Sequence, residues 1–261
     1  MAHDPPNSER VTLGIELVST NWKLKTRIAV PAGPTRLIEL LPLANSLADA
    51  VAGMAEQSVE KQGEKISCKK GCAACCRWMA PVSEVEARRI RKLVDGLPEP
   101  RRSQVLARFT EALRRLDQAG LLDRLRARDQ WADPDYRKIS DQYYAQGITC
   151  PFLEDESCSI YADRPATCRE LLVTSPAEKC ALPTNDEVRA VKLPFSIVSA
   201  LARFDPVPST AERIRWVPLV LALEWAAEHA DESPARPGPE LVRELFQHVA
   251  DREGARLGLR K

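Results

Sequence analysis

All eight cysteines of this 261-residue chain lie between Cys68 and Cys180. Four of them, Cys68, Cys72, Cys75 and Cys76, are packed into CKKGCAACC, and the others, Cys150, Cys158, Cys168 and Cys180, are widely spaced. If the first piece is helical, residues three and four apart share a face, and Cys68, Cys72 and one of the adjacent pair converge. If Gly71 breaks the helix, Cys72 and Cys75 still span a tight turn that places two thiolates on one ion. The adjacent pair behaves differently, because neighbouring side chains diverge on a helix or a strand. Cys75 and Cys76 are therefore expected to serve different metal atoms, or one of them to be a reserve thiol, a redox thiol or one that stands behind the ligands. The second group can close round an ion only through folding. The count leaves two four-sulfur sites and one centre with spare thiols both open.

The ligand type is more restricted. His3, His229 and His248 all lie outside the cysteine window. A thiolate-only set favours zinc or an iron–sulfur cluster over magnesium, calcium or histidine–carboxylate iron. Such centres are anionic and need nearby cations and amide donors. Lys69, Lys70, Arg77, Arg164, Arg169 and Lys179 each stand within four residues of a cysteine. Arg164 and Arg169, which bracket Cys168, are the best placed to stand behind the sulfurs.

The elements that must hold these residues follow from the patterning. Residues 11–18 and 22–30 alternate apolar with polar around Ser19-Thr20-Asn21, as a hairpin would. Residues 35–62 carry a helical stripe from Leu37 to Val59 that Pro42 should kink or divide. Ser83-Glu84-Val85-Glu86 reads as a capping box that starts a helix to about Asp95. Further helices are expected at about 101–118, 120–130, 134–145, 195–203, 216–230 and 239–253. Around the second cysteine group, CPFL and CSIY flank the acidic turn Glu154 to Ser157 as a small hairpin, and Asp163 can cap a short helix carrying Cys168. The expected fold class is mainly α, with a short N-terminal β-hairpin and a loop-rich cysteine-cluster metal site. Its divisions are a disordered 1–10, the hairpin at 11–34, a helical region with the cysteine motifs at 35–190, and C-terminal helices at 191–261 packing on the same core. Residues 231–239 are the one plausible linker.

Composition narrows the class further. With 38 basic and 37 acidic residues, overall charge recruits neither nucleic acid nor an anionic membrane, so a protein partner is the open case. There is no export signal and no uninterrupted apolar run of spanning length, and the default is a cytosolic protein. Eight cysteines in a long chain rich in aliphatic residues read as a site and not as a disulfide scaffold. No nucleotide, dinucleotide, metalloprotease or hydrolase motif is present, and no acid–base pair can be nominated.

The cysteine segment resembles the YkgJ-type cysteine-cluster family, described as a zinc- or iron-chelating domain with a CxxCxxCC signature. The resemblance rests on Cys68, Cys72, Cys75 and Cys76, with three residues in place of two in the first gap, on CPFL at 150–153, and on CSIYADRPATCR at 158–169. The last of these matches C-x-I-Y-x-x-R-P-x-x-C-R through Cys158, Ile160, Tyr161, Arg164, Pro165, Cys168 and Arg169. It covers about residues 66–180 and implies a bacterial metal-binding protein of unassigned activity. A relative with a similar cluster, the flagellin lysine N-methylase, implies an alternative: a metal-dependent protein-modifying enzyme or a redox protein.

Overall fold

A computed structural model describes residues 9–131, 133–182, 187–204 and 216–260. The chain opens on an antiparallel pair, β1 (Arg10–Val18) and β2 (Lys23–Pro31), in register from Arg10 opposite Pro31 to Val18 opposite Lys23. Alternation turns Leu13, Ile15 and Leu17 of one strand and Ile28 and Val30 of the other to the buried face. A strand not expected from sequence, β9 (Arg256–Arg260), pairs with the other edge of β1 and makes a three-stranded sheet.

Against this sheet lie α1 (Leu41–Lys61), α7 (Ile197–Arg203) and α9 (Gly238–Glu253), which share one hydrophobic core with it. Pro42 was expected to kink or divide the first of these helices. It sits instead in the opening turn, after a 3-10 turn at Leu37–Leu40, where its missing N–H breaks no helical bond. By length and mean hydropathy, Leu37–Lys61 could cross a membrane, although its apolar residues do not form an uninterrupted run. In the fold its apolar stripe, Leu41, Ala44, Leu47, Ala48, Val51 and Ala55, is buried in the core.

A second core is built by α2 (Glu84–Asp95), α3 (Arg101–Gln118), α4 (Leu122–Arg126), α5 (Asp133–Ala145) and α8 (Ala222–Glu228). Ile90, Phe109, Leu116, Leu125, Ile139 and Phe152 are among its buried side chains. The expected helix at 216–230 begins late. Residues Trp216–Pro218 form β7, paired with β4 (Pro81–Ser83), and a 3-10 turn at Leu219–Leu221 leads into α8. The strand conformation follows from Pro218, which pushes Val217 to extended backbone. The expected linker is also partly ordered, since β8 (Arg236–Pro237) pairs with β3 (Pro34–Thr35).

Candidate metal centre

Both cysteine groups lie on short elements and turns, with Cys150 and Cys158 packed against the second core. Gly71, at φ +85°, adopts the left-handed conformation that only glycine takes freely, and this ends any helical reading of CKKGCAACC. Cys72 N–H donates to Lys69 O at 3.0 Å to close a turn, and Cys75 and Cys76 follow on a 3-10 turn at Ala74–Arg77. Cys158 lies on β6 (Ser157–Cys158), paired with β5 (Leu153–Glu154). The expected hairpin forms, with Asp155 and Glu156 both at positive φ, as a primed two-residue turn requires. Cys168 is carried by α6 (Ala166–Glu170) and Cys180 by a 3-10 turn at Ala177–Ala181. The N-cap of α6 is Pro165 and not the expected Asp163. That carboxylate instead accepts from Arg89 Nη2 at 3.2 Å.

Backbone contacts join the two groups directly. Cys150 N–H donates to Cys76 O at 2.7 Å, and Ser67 N–H to Val173 O at 2.9 Å. The Cys68 thiol donates to Leu171 O at 3.7 Å. The turn bearing Cys180 packs on the turn bearing Cys75 and Cys76. Two aromatic residues that the sequence did not single out for this role fasten it. Trp78 Nε1 donates to Cys180 O at 2.7 Å, Tyr144 Oη donates to Ala181 O, and the two rings stack with centroids 4.3 Å apart. Trp78 directly follows CCR, and that adjacency was the only available signal.

All eight cysteines are free and only partly buried. Burial is the leading cause that raises the thiol pKa of Cys68, Cys150, Cys158, Cys168 and Cys180, and each is raised further by its proximity to Cys75. The pKa of Cys75 itself is driven far up by the hydrogen bond with Cys76, then by burial. Cys150 is also raised strongly, and Cys168 is pushed up to about 12. Crowded, desolvated thiols of this kind hold their protons until a cation compensates the charge.

Arg164 supplies part of that compensation, lowering the pKa of Cys68, Cys75, Cys158 and Cys168. Its guanidinium lies over the Tyr161 ring, 4.1 Å from the centroid. Its Nε is buried without a hydrogen-bond partner among the described residues. Arg169 is spent otherwise: Nη1 donates to Asp49 Oδ2 at 2.6 Å, Nε to Arg164 O at 2.8 Å and Nη2 to Ala162 O. It clamps the turn that presents Arg164. Arg77 pairs with Glu156 at 2.7 Å, Lys179 with Glu187, and Lys70 lies 5.7 Å from the Tyr161 ring centroid.

Beneath Cys168 the expected capping box is present and does more than cap. Ser83 N–H donates to Glu86 Oε2 at 2.8 Å, and Glu86 N–H to Ser83 Oγ at 3.4 Å. The buried Glu86 also accepts Ala166 N–H at 2.7 Å on Oε1, tying the start of α2 to the start of α6. Among the described residues, no three His, Cys, Asp or Glu side chains stand close enough to hold an ion as they are. Backbone bonds nevertheless join the segments that carry the thiols. The donor set, eight uncommitted thiols with a desolvated guanidinium whose Nε is unpaired, suits a soft cation or an anionic cluster.

Residues 67–185 match the family model CxxCxxCC, described as a "Putative zinc- or iron-chelating domain". This segment is similar to the CxxCxxCC domain. The match spans under half of the chain and takes in all eight cysteines. No curated protein and no solved structure matches the chain. The chelating description of the CxxCxxCC domain agrees with a donor set made of sulfur alone.

Proposed function

We propose that the CxxCxxCC-like domain binds its metal through cysteine thiolates alone, as zinc or as an iron–sulfur cluster. One observation carries this reading: backbone bonds from Cys150 N–H to Cys76 O and from Ser67 N–H to Val173 O join the two separate segments whose thiols are all free. The metal would cross-link CKKGCAACC to the hairpin, to α6 and to the Cys180 turn. Binding at such a site contributes roughly 10–16 kcal/mol, comparable to the whole stability of a domain. Arg164 offsets the negative charge of the thiolates, while Trp78, Tyr144 and Arg169 hold the turns that present them. The ligands we propose are Cys68, Cys72, Cys75, Cys76, Cys150, Cys158, Cys168 and Cys180.

Anaerobic purification followed by metal and acid-labile sulfide analysis tests the reading. Zinc in a colourless protein, or iron with sulfide in a brown one, is the expected result. Protein that is folded and retains neither metal nor sulfide would overturn it.

A further inference from the structure

Apart from the thiols, the fold leaves a cleft of about 480 Å³, an ordinary volume for a ligand site, and none of the eight cysteines lines it. One wall is a face of the last turns of α1, where Ala55, Ser58, Val59 and Gln62 stand three and four residues apart. A second is the turn between β1 and β2, closed by Ser19 N–H donating to Trp22 O at 2.9 Å, with Trp22 packed partly on the first core. The third is the segment 190–194.

That third wall is a strand edge. Thr174 N–H donates to Arg189 O at 3.0 Å and Val191 N–H to Leu172 O at 2.8 Å, on either side of an antiparallel bridge between Val173 and Ala190. Bonded in this way, the two bridged residues turn their own N–H and C=O groups away from each other. On its far side Val173 O accepts Ser67 N–H at 2.9 Å. Ala190 is exposed, lines the cleft and points its N–H and C=O the opposite way, where neither has a partner among the described residues. Charge adds a preference. Glu64 is answered by Arg189 at 3.8 Å, whereas Lys192 is exposed with no ion-pair partner among the described residues. The rest of the lining is uncharged.

We infer that this cleft takes an extended, acidic peptide segment of a partner protein, added as a strand along Ala190 with a carboxylate side chain against Lys192. The peptide backbone donates to Ala190 O and accepts from Ala190 N–H, which supplies affinity without regard to sequence. Alternate peptide side chains face the cleft, where Val59 and Trp22 offer apolar surface and Ser58, Gln62 and Thr174 offer hydroxyl and amide groups. A second copy pairing through the same edge would bring one Lys192 towards another, so like charge disfavours it. The added strand would lie beyond 172–174 from Ser67, the neighbour of Cys68, and the partner would be held on the flank of the cysteine segments.

Fluorescence anisotropy of dye-labelled heptapeptides, titrated with the full-length protein, tests the cleft. A peptide alternating valine with aspartate should bind, and one alternating valine with lysine should bind at least about fivefold more weakly. N-methylating the amides of the odd or of the even residues should weaken binding about tenfold for the set that faces Ala190 and leave the other set unchanged. Ser58→Trp, which fills the cleft from the α1 side, should abolish binding, and Lys192→Glu should reverse the preference between the two peptides. The second variant alters an exposed side chain and decides the matter if the first does not fold. No binding to the unaltered protein, indifference to N-methylation, or an unchanged preference in Lys192→Glu would overturn the proposal. So would self-association through the cleft, seen as a light-scattering mass that falls in Ser58→Trp. None of these outcomes bears on the thiolate-metal reading, which metal and sulfide analysis tests separately.

Discussion

Replacing Arg169 by methionine removes one charge and keeps most of the side-chain volume, and the structure indicates what that should cost. The guanidinium is 5% exposed and donates to the carbonyls of Arg164 and Ala162 and to Asp49. Hydrogen bonds from a charged donor contribute about 1.5–3 kcal/mol each, and two part-buried bonds to carbonyls are lost, so about 3–6 kcal/mol should disappear at most. The ion pair itself adds little, because the Asp49 side chain is 51% exposed and recovers its hydration. Asp49→Asn should therefore cost only about 1 kcal/mol, since the amide oxygen still accepts and water reaches that end of the pair. At about 2–4 °C per kcal/mol for a chain near this size, Arg169→Met should melt roughly 10 °C lower. Urea unfolding followed by tryptophan fluorescence, with metal occupancy held constant, measures both variants. An Arg169→Met protein within 1 kcal/mol of the unaltered one, or an Asp49→Asn protein just as unstable, would refute the clamp.

Four other perturbations should behave as follows. A Cβ added at Gly238 would stand 2.3 Å from Pro31 O, so Gly238→Ala should cost about 1–3 kcal/mol. Gly53→Ala, with nothing within 4 Å on a helix, should gain about 0.5–1 kcal/mol, and paired thermal melts will show whether the two differ in sign. Phe152→Ala removes a fully buried ring that meets Phe109 edge-on with centroids 5.5 Å apart, so it should cost about 3–5 kcal/mol in denaturant unfolding. Because Cys68, Cys75, Cys150, Cys158, Cys168 and Cys180 are all raised above the ordinary thiol value, metal uptake must expel protons, and apparent affinity should fall steeply from pH 8 to pH 6. By the same sign, the stability that these protonated thiols lend the metal-free fold is complete below about 9 and drains away as pH rises towards about 12. Competition titrations that give a pH-independent affinity, or metal-free melts unchanged from pH 8 to 11, would contradict this.

Local signals carried much of the fold into view. Ser83 and Glu86 announced α2 because both halves of a capping box are side-chain chemistry that sequence displays directly. The span 101–118 and the strand alternation of β1 and β2 were equally legible. What could not be read depends on partners remote in the chain. RLGLR is too short and basic to announce a strand until the edge of β1 is available to it. Residues 216–218 look like the start of an apolar helix until Pro81–Ser83 pairs with them. In the site, the residue types restricted the metal class, and the resemblance marked out the segment. The stacking of Trp78 on Tyr144, the Asp49 contact to Arg169 and the Glu86 bond to α6 all join residues far apart in sequence, and no spacing rule encodes them.

The pairing of β9 with β1 has a consequence for how the molecule is made. While the chain is being synthesised, one edge of β1 presents its unpaired N–H and C=O groups until residues 256–260 emerge, after every cysteine has already left the ribosome. The metal centre can therefore assemble on a nascent chain whose sheet is still open to pairing with a neighbouring copy. Slow translation or truncation near the C-terminus should thus show up first as aggregation through the N-terminal strands, well before any loss of thiol chemistry.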